Sequence, residues 1–310
     1  MFVDILILLV GLVLLLYSAD VMINSSDSIA KKFQLSPILV GLTIVAFGTS
    51  APELVITLFA AFREIPATDA IIGNIIGSNI ANVLLIFGTA SLFFKIDLSN
   101  IGLKDNIFLL ILTSYFAAMF YIVSSLSYAI IIGLIVFVMV FVNLLKNYES
   151  DSEEVKLKVF SNKAYVILLL SFIGIFIGGK IFLDSSLNIF TSFGLEETII
   201  GISILAVGTS LPELATVVIS YLRKKGSIGI GNIIGSNIMN ILFVFLPGAI
   251  IIKSRNLNFS LENIDLIHVN VLVLVTLIIT AMSLLKMKLN KIFALGFLVS
   301  YVVYIGYSLS

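Results

Sequence analysis

The sequence contains no cysteine and no tryptophan, only one histidine, and few charged residues for its length of 310 residues. The lack of cysteine excludes disulfides, iron–sulfur ligation and thiol catalysis. Only 12% of residues are charged and the formal net charge is zero, so bulk charge gives no reason to expect a nucleic-acid partner. Hydrophobic residues make up 60% of the chain, and the mean hydropathy is +1.19, far above that of a soluble domain. The composition therefore indicates a polytopic protein of the lipid bilayer.

Apolar segments of about 20 residues, the length that crosses the hydrocarbon core, recur along the whole chain. The ten candidate spans are 5–23, 36–62, 70–94, 106–123, 127–145, 164–190, 196–222, 228–252, 264–285 and 292–308. The first span follows no basic n-region of the kind found in a signal peptide, so we expect it to be retained. The sequence thus predicts an all-α membrane protein with ten transmembrane helices.

The main hydrophilic interruption is NYESDSEEVKLK, residues 147–158, near the midpoint of the chain. It predicts a first five-helix repeat over 1–146, a cytoplasmic linker over 147–163 and a second repeat over 164–310. The acidic run could bind calcium as a regulatory element. A solvated linker is the simpler interpretation, because the segment has no patterned ligand loop.

Lysine and arginine residues are distributed unequally between the two sets of loops. The richer set, which the positive-inside bias places in the cytoplasm, holds Lys31, Lys32, Lys95, Lys104, Lys146, Lys156, Lys158, Lys163, Arg223, Lys224, Lys225, Lys286, Lys288 and Lys291. Arg63, Lys253 and Arg255 lie on the other side. With an even number of spans both termini are then external, and we expect a multi-pass protein of the plasma membrane.

Two polar phrases occur twice, once in each half of the chain. GLTIVAFGTSAPELV at 41–55 corresponds to GISILAVGTSLPELA at 201–215, and GNIIGSNIANVLLIFG at 73–88 corresponds to GNIIGSNIMNILFVFLPG at 231–248. Equivalent points are five spans apart, and because five is odd the halves must have opposite orientations in the membrane. Inverted repeats of this kind are typical of secondary transporters, whose sites lie near the midplane where the repeats meet. A purely structural duplication would not explain why the best-matched residues are polar.

The first phrase places a helix breaker beside a carboxylate inside an apolar span. Pro52 and Pro212 have no N–H, so the carbonyls of Gly48 and Gly208 lose their helical partners. In lipid such carbonyls must be satisfied, and a bound cation can do so. The hydroxyl and carboxylate residues that share a helix face after each break are Thr49, Ser50 and Glu53 in the first half and Thr209, Ser210 and Glu213 in the second.

The second phrase adds further hydroxyl and amide groups on one helix face. The i,i+4 pairs are Ser78 with Asn82 and Ser236 with Asn240. The glycines of this phrase predict local unwinding or a close helix contact, and from both phrases we expect breaks in helices 2, 3, 7 and 8. Asn79 and Asn237 are interpreted as side chains that bond a neighbouring helix.

This set of candidate ligands consists almost entirely of oxygen atoms. Oxygen suits hard cations such as Na⁺ and Ca²⁺, whereas zinc or copper would call for histidine or thiolate. A carboxylate inside the membrane is costly and indicates function, and Glu53 and Glu213 have few basic partners, because Lys180 alone lies within a span. Lys180 could pair with Asp20, its equivalent under the repeat. His268, outside both phrases, is interpreted as a core or interface residue.

The paired phrases GTSAPE with GNIIGSNIAN, and GTSLPE with GNIIGSNIMN, resemble the two α-repeats of the cation/calcium antiporter superfamily, specifically the prokaryotic sodium/calcium exchangers. The resemblance covers the whole chain. It implies that the protein is a secondary active antiporter and not an enzyme. The antiporter would exchange sodium for calcium as the first and sixth spans slide across the other eight. It further implies that Na⁺ and Ca²⁺ are transported, that no cofactor is bound, and that a monomer functions.

The resemblance also implies roles for individual residues. Calcium would be bound by Glu53 and Glu213 with the carbonyls of Thr49 and Thr209. Sodium would be shared among the same glutamates, the serines and two alanine carbonyls, namely Ser50, Ser210, Ser78, Ser236, Ala46 and Ala206. Many relatives have aspartate where this chain has Asn240, so with Asn82 in the first half the site holds two carboxylates rather than three. This departure leaves ion preference and stoichiometry open.

Three other functions are compatible with the sequence to differing degrees. A proton/calcium antiporter of the same superfamily would show calcium flux driven by a pH gradient. A cation channel is disfavoured, because channel filters are usually assembled around a symmetric oligomer axis. An intramembrane hydrolase could use Glu53 and Glu213 as acid and base, although no histidine lies near them and Ser50 has no evident base.

The predicted orientation can be tested with a reporter fused after Ser310. Because the charge bias places the C-terminus outside, the reporter should be accessible from the external face of intact cells. Accessibility only after permeabilisation would contradict the orientation.

Overall fold

The computed structural model describes residues 2–123, 125–146, 163–192, 208–261 and 264–308. Within these ranges eight helices are long and apolar enough to cross a membrane, and the bent pair Pro37–Thr49 and Ala51–Phe62 makes nine if it is counted as one span. These findings confirm an all-α polytopic membrane protein. The seventh predicted span is described only from residue 208 onward, so the count of ten stays a prediction. The predicted linker, apart from Lys163, lies outside the described residues.

The helices follow the predicted spans closely, and two short strands were not predicted. The helices are α1 (Phe2–Phe33), α2 (Pro37–Val40), α3 (Ala46–Thr49), α4 (Ala51–Phe62), α5 (Thr68–Ala81), α6 (Gly88–Phe93), α7 (Leu103–Ile122), α8 (Tyr128–Lys146), α9 (Lys163–Ser192), α10 (Leu211–Leu222), α11 (Gly226–Met239), α12 (Leu246–Ser254), α13 (Leu266–Leu284) and α14 (Lys291–Ser308). π-Helical segments Gly41–Val45, Asn82–Phe87 and Asn240–Phe245 join α2 to α3, α5 to α6 and α11 to α12. Strands β1 (Ile96–Asp97) and β2 (Lys288–Leu289) pair antiparallel.

The predicted break in helix 2 is confirmed. The chain bends by 45° between α3 and α4, with Ser50 at the junction and Pro52 at the start of α4. Ser210, directly before α10, has almost the same backbone angles as Ser50, with φ −87° and ψ 1° against φ −81° and ψ 7°. The two proline phrases therefore start a new helix in the same way, and each new helix has a glutamate in its first turn.

The predicted breaks in helices 3 and 8 are wrong. Thr68–Phe93 and Gly226–Ser254 each form one continuous span, in which a π-helical segment replaces the expected unwinding. A π turn adds a residue without interrupting the backbone hydrogen bonds, and in lipid an interrupted backbone costs several kcal/mol per unsatisfied group. In both spans the segment begins at an asparagine of the repeated phrase, Asn82 or Asn240.

The glycines of the second phrase instead provide a close helix contact in the second half of the chain. A Cβ atom at Gly231 would meet Leu42 N at 3.0 Å and Gly41 Cα at 3.1 Å, and one at Gly235 would meet Leu42 Cα at 2.6 Å. The equivalent Gly73 and Gly77 have nothing within 4 Å among the described residues. The α11 backbone thus packs directly against the segment that leads into the bend.

Helices α1 and α9 form an antiparallel pair. A Cβ atom at Gly11 would meet Phe182 N, whereas one at Gly178 would meet Leu15 N, both at 2.6 Å, and one at Gly174 would meet the Ser18 side chain. Residue numbers rise along α1 as they fall along α9, so the first and sixth spans run in opposite directions. A separate apolar cluster joins this pair to its neighbours, while the main cluster is shared by both halves of the chain.

Loops that were predicted to share a side of the membrane contact one another. β1 and β2 join the segments before α7 and α14, both predicted to be cytoplasmic. On the other side Ser125 bridges to Ser260. There Arg255 also donates to the carbonyls of Ala61 and Arg63 at 2.7 and 2.8 Å. The grouping of the loops agrees with these contacts, and which group faces the cytoplasm stays a prediction.

The suggested pairing of Asp20 with Lys180 is wrong. The Arg223 guanidinium donates to both carboxylate oxygens of Asp20, with Nη2 2.7 Å from Oδ2, and Lys225 pairs with Asp27 at 3.1 Å. The turn after α10 brings these two cations against α1, while Lys180 lies exposed on α9. The correct partner came from a loop, which the repeat offset could not show.

Substituting Gly231 with alanine should destabilise the protein, because the added methyl would meet backbone atoms of the neighbouring span. Overpacking of this kind costs about 1–3 kcal/mol. Thermal unfolding in detergent should show a lower Tm for Gly231→Ala than for the parent.

The matched control is Gly296→Ala on α14, where a Cβ atom would meet nothing within 4 Å. This variant should melt close to the parent. Equal melting temperatures for the two variants would contradict the close contact.

Candidate cation site

The two halves of the chain each contribute one buried carboxylate to the candidate site. Glu53 is in the first turn of α4 and Glu213 in the first turn of α10, and each residue is only 1% exposed. The positive end of a helix dipole favours a carboxylate at this position. The two carboxyl groups are close enough to interact electrostatically, so they belong to one centre.

Each carboxylate is bound by residues of both halves. Within a half, Ser78 Oγ donates to Glu53 Oε1 and Ser236 Oγ donates to Glu213 Oε1, both at 3.4 Å. Between halves, the Thr209 hydroxyl interacts with the Glu53 carboxyl. The Thr49 hydroxyl does the same for Glu213. The serine contacts and the threonine contacts therefore obey the same pseudo-two-fold relation.

Two further asparagines contact this centre and were missed in the sequence. Asn74 Nδ2 donates to the Glu53 carbonyl at 3.0 Å and to Thr57 Oγ1 at 3.3 Å. Asn232 Oδ1 accepts the Thr49 hydroxyl at 2.9 Å, and Asn232 Nδ2 is buried without a partner in the described structure. Both residues belong to the GNIIGSN phrase, so their identity in the two halves was the available signal.

Four asparagines connect α5 and the π-helical segment after it to α11 and the π-helical segment after that helix. Asn82 Nδ2 donates to Asn237 Oδ1 and Asn240 Nδ2 donates to Asn79 Oδ1, both at 2.9 Å. Asn79 and Asn237 also reach each other's backbone carbonyls, which confirms that they bond a neighbouring helix. All four side chains are at most 1% exposed.

Several buried oxygen atoms in this region have no hydrogen-bond partner among the described residues. Three side chains from each half contribute such an atom: Ser50 Oγ, Glu53 Oε2 and Asn82 Oδ1, and Ser210 Oγ, Glu213 Oε2 and Asn240 Oδ1. A buried polar atom without a partner costs roughly 1–3 kcal/mol. Six orphaned oxygens in three equivalent pairs indicate that something else binds there.

Of the two predicted alanine carbonyl ligands, only that of Ala46 lies among the described residues. The Ala46 carbonyl already accepts the Ser50 N–H at 3.0 Å, and Thr49 Oγ1 lies 3.3 Å from the same carbonyl oxygen. Ala206 lies outside the described residues. Every other predicted ligand is buried in this region.

A cavity of about 360 Å³ leads to this centre, and its lining includes Asn74, Ser78, Thr209, His268 and Tyr304. The His268 ring packs edge-on against Tyr304 with 5.6 Å between centroids. His268 is half-buried and lies in the cavity wall, whereas the sequence led us to expect a core or interface residue.

The chemistry of the centre is that of a hard-cation site. Among the described residues no three histidine, cysteine, aspartate or glutamate side chains lie together as metal ligands, so the charge comes from Glu53 and Glu213 alone. Hydroxyl, amide and carboxylate oxygens suit Na⁺ or Ca²⁺. A site with so few charges is also compatible with ions that leave again.

The chain matches known transporters over most of its length. The sequence profile of the family described as sodium/calcium exchanger protein matches residues 3–146 and 163–310. The sodium/calcium exchanger MaX1 of Methanosarcina acetivorans is 31% identical over 291 residues, 78% of this chain and 81% of that protein. The candidate antiporter CaxA of Alkalimonas amylolytica is 36% identical over 254 residues, 78% of this chain and 79% of that protein. A solved structure of the sodium-calcium exchanger NCX_Mj is similar with a TM-score of 0.82 at 25% identity, and the match covers 98% of each chain.

Proposed function

This chain belongs to the sodium/calcium exchanger protein family, a family of cation/calcium antiporters, and from that premise we propose that it exchanges Na⁺ for Ca²⁺ across the plasma membrane. The observation that carries the proposal is the set of six orphaned buried oxygens, three from each half. Two of the six belong to the carboxylates of Glu53 and Glu213, which have no basic partner among the described residues. The ions are substrates, and the proposal includes no cofactor and a functional monomer.

Charge balance explains why the two ions would exclude each other. Glu53 and Glu213 supply two negative charges if both are ionised, and one Ca²⁺ or two Na⁺ would neutralise them. In a buried site a second set of cations would meet uncompensated repulsion, which is stronger than in water. Competition for one set of oxygens is the physical basis of antiport at a single site. We assign the ions to Glu53, Glu213, Ser50, Ser210, Ser78, Ser236, Asn82, Asn240 and the carbonyls of Thr49, Thr209, Ala46 and Ala206.

Alternating access would use two inverted five-helix repeats, ten spans in all, with both termini external. Support comes from α1 and α9, which run antiparallel and pack through Gly11 and Gly178 at backbone distance. Small residues let such a pair pack closely, and the apolar cluster that joins the pair to its neighbours is distinct from the main core. We propose that α1 and α9 slide together across the remaining spans and expose the site to each side in turn.

Sodium-driven calcium flux is the direct test. Proteoliposomes loaded with Na⁺ and diluted into sodium-free buffer with radioactive calcium should accumulate calcium, because outward sodium movement vacates the shared oxygens. Collapse of the sodium gradient with an ionophore should abolish the uptake.

The same vesicles distinguish the runner-up. A pH gradient without sodium should drive no calcium uptake. Uptake that follows the pH gradient and ignores sodium would identify a proton/calcium antiporter and reject sodium coupling.

Replacing either glutamate with glutamine should abolish calcium transport. Glu53→Gln or Glu213→Gln keeps the size and one oxygen but removes a charge from a buried ion pair, a loss of about 3–5 kcal/mol. This corresponds to a calcium affinity weaker by more than about a hundredfold, measurable as calcium exchange at a fixed concentration.

The matched control is Glu64→Gln, which changes an exposed glutamate in the loop after α4. It should transport calcium as the parent does. Near-normal flux in both buried-site variants would show that these carboxylates are not calcium ligands.

A further inference from the structure

Backbone contacts determine the orientation of the side-chain amides of Asn79 and Asn237. Asn79 Nδ2 donates to the Asn237 backbone carbonyl at 3.3 Å, and Asn237 Nδ2 donates to the Asn79 backbone carbonyl at 3.5 Å. A backbone carbonyl can only accept, so the NH₂ group of each side chain must point at the opposite helix. The Oδ1 atoms of both residues are thereby forced to point the other way.

This orientation fixes a second pair of amides. Because Asn237 presents an oxygen to Asn82, Asn82 must present its NH₂ group in return, at 2.9 Å. Asn240 is bound to Asn79 in the same way, also at 2.9 Å. The hydrogen-bond network determines which end of an amide faces which neighbour. Here the backbone carbonyls of Asn79 and Asn237 determine the orientation of all four asparagine amides.

The remaining atom of each outer amide is therefore an oxygen. Asn82 Oδ1 and Asn240 Oδ1 are buried without partners among the described residues. Asn82 lies one helical turn after Ser78, which binds Glu53, and its orphaned oxygen is one of the six that we assign to the proposed ion site.

From this chain of contacts we propose that Asn79 and Asn237 are positioning residues, which force Asn240 and Asn82 of the opposite halves to offer oxygen rather than N–H to the transported cation. The inference rests on the proposed function, since it assigns the geometry of that ion site. Neither positioning residue touches the ion, because all their hydrogen-bonding atoms are engaged with each other's helix. An NH₂ group turned toward the site would repel a cation, so a flipped amide would lower affinity as well as lose a ligand.

A double-mutant cycle separates positioning from a merely structural role. Leucine at position 237 has nearly the shape of asparagine but leaves Asn82 free to turn. Asn237→Leu should raise the half-saturating concentrations for sodium–sodium and calcium–calcium exchange by about threefold to tenfold, the worth of one hydrogen bond. In an Asn82→Ala background the same substitution should have no further effect, because the amide that it misorients is gone.

The matched control is Asn106→Leu. Asn106 is also a buried amide that joins two spans, with Nδ2 2.7 Å from Ser283 Oγ, and its Oδ1 likewise lacks a partner in the described structure. It lies on α7, outside the repeated phrases, so its loss should lower the Tm and leave both half-saturating concentrations unchanged.

The equivalent cycle of Asn79→Leu with Asn240→Ala repeats the test in the other half. Additive effects in both cycles, or an equal loss of affinity in Asn106→Leu, would overturn the inference. So would failure of both leucine variants to insert while Asn106→Leu inserts, since that would make the two residues structural.

These self-exchange assays need no antiport coupling. Non-additive effects in the double-mutant cycles, without any sodium-driven calcium uptake, would reject the proposed function but still support the positioning role. Sodium-dependent calcium uptake together with additive double-mutant cycles would support the proposed function and reject the positioning role of Asn79 and Asn237.

Discussion

The structure depends on the burial of two like-charged carboxylates in a space with no cationic side chain among the described residues. Both glutamates are buried, and the desolvation of an unpaired carboxylate costs several kcal/mol. The helix termini at Glu53 and Glu213 offset a part of that cost, and the serine and threonine hydroxyls another part. What remains can be offset by a mobile counter-charge, such as the cation of the proposed ion site. Under the proposed exchange, each ion must leave this site before the other can enter.

The two halves of the chain are interlocked at the site rather than placed side by side. The Thr209 hydroxyl interacts with the Glu53 carboxyl and the Thr49 hydroxyl with the Glu213 carboxyl. The asparagine pairs also join residues of the two halves. The described contacts of the site therefore involve both halves of the chain. The proposed movement of α1 and α9 would open either side of the membrane without rebuilding these contacts.

Apolar length and a repeated polar phrase are local signals, so the sequence predicted the spans that the structure describes and a ligand set whose described members are all buried. It did not reveal the continuity of spans 3 and 8. There, glycine suggested unwinding, while the need for unbroken backbone hydrogen bonds in lipid produced a π-helical segment instead. The roles of Asn74 and Asn232 and the Asp20–Arg223 pair depend on contacts between distant segments. An offset between two phrases identifies equivalent residues, but it does not say which half each residue will touch.

The amide network also connects the number of carboxylates in the site to residues that bind no ion. The Asn79 side chain presents an oxygen to position 240, because its NH₂ group is held by the Asn237 carbonyl. Asn240 Nδ2 donates a hydrogen bond to that oxygen. A carboxylate at position 240 would instead place a second acceptor next to Asn79 Oδ1. An acid at this position would therefore need a proton or a reversed Asn79 amide, and reversal would set the Asn79 oxygen against the Asn237 carbonyl. The two-carboxylate site of this chain is thus consistent with the packing of α5 against α11, and not only with the ions that it carries.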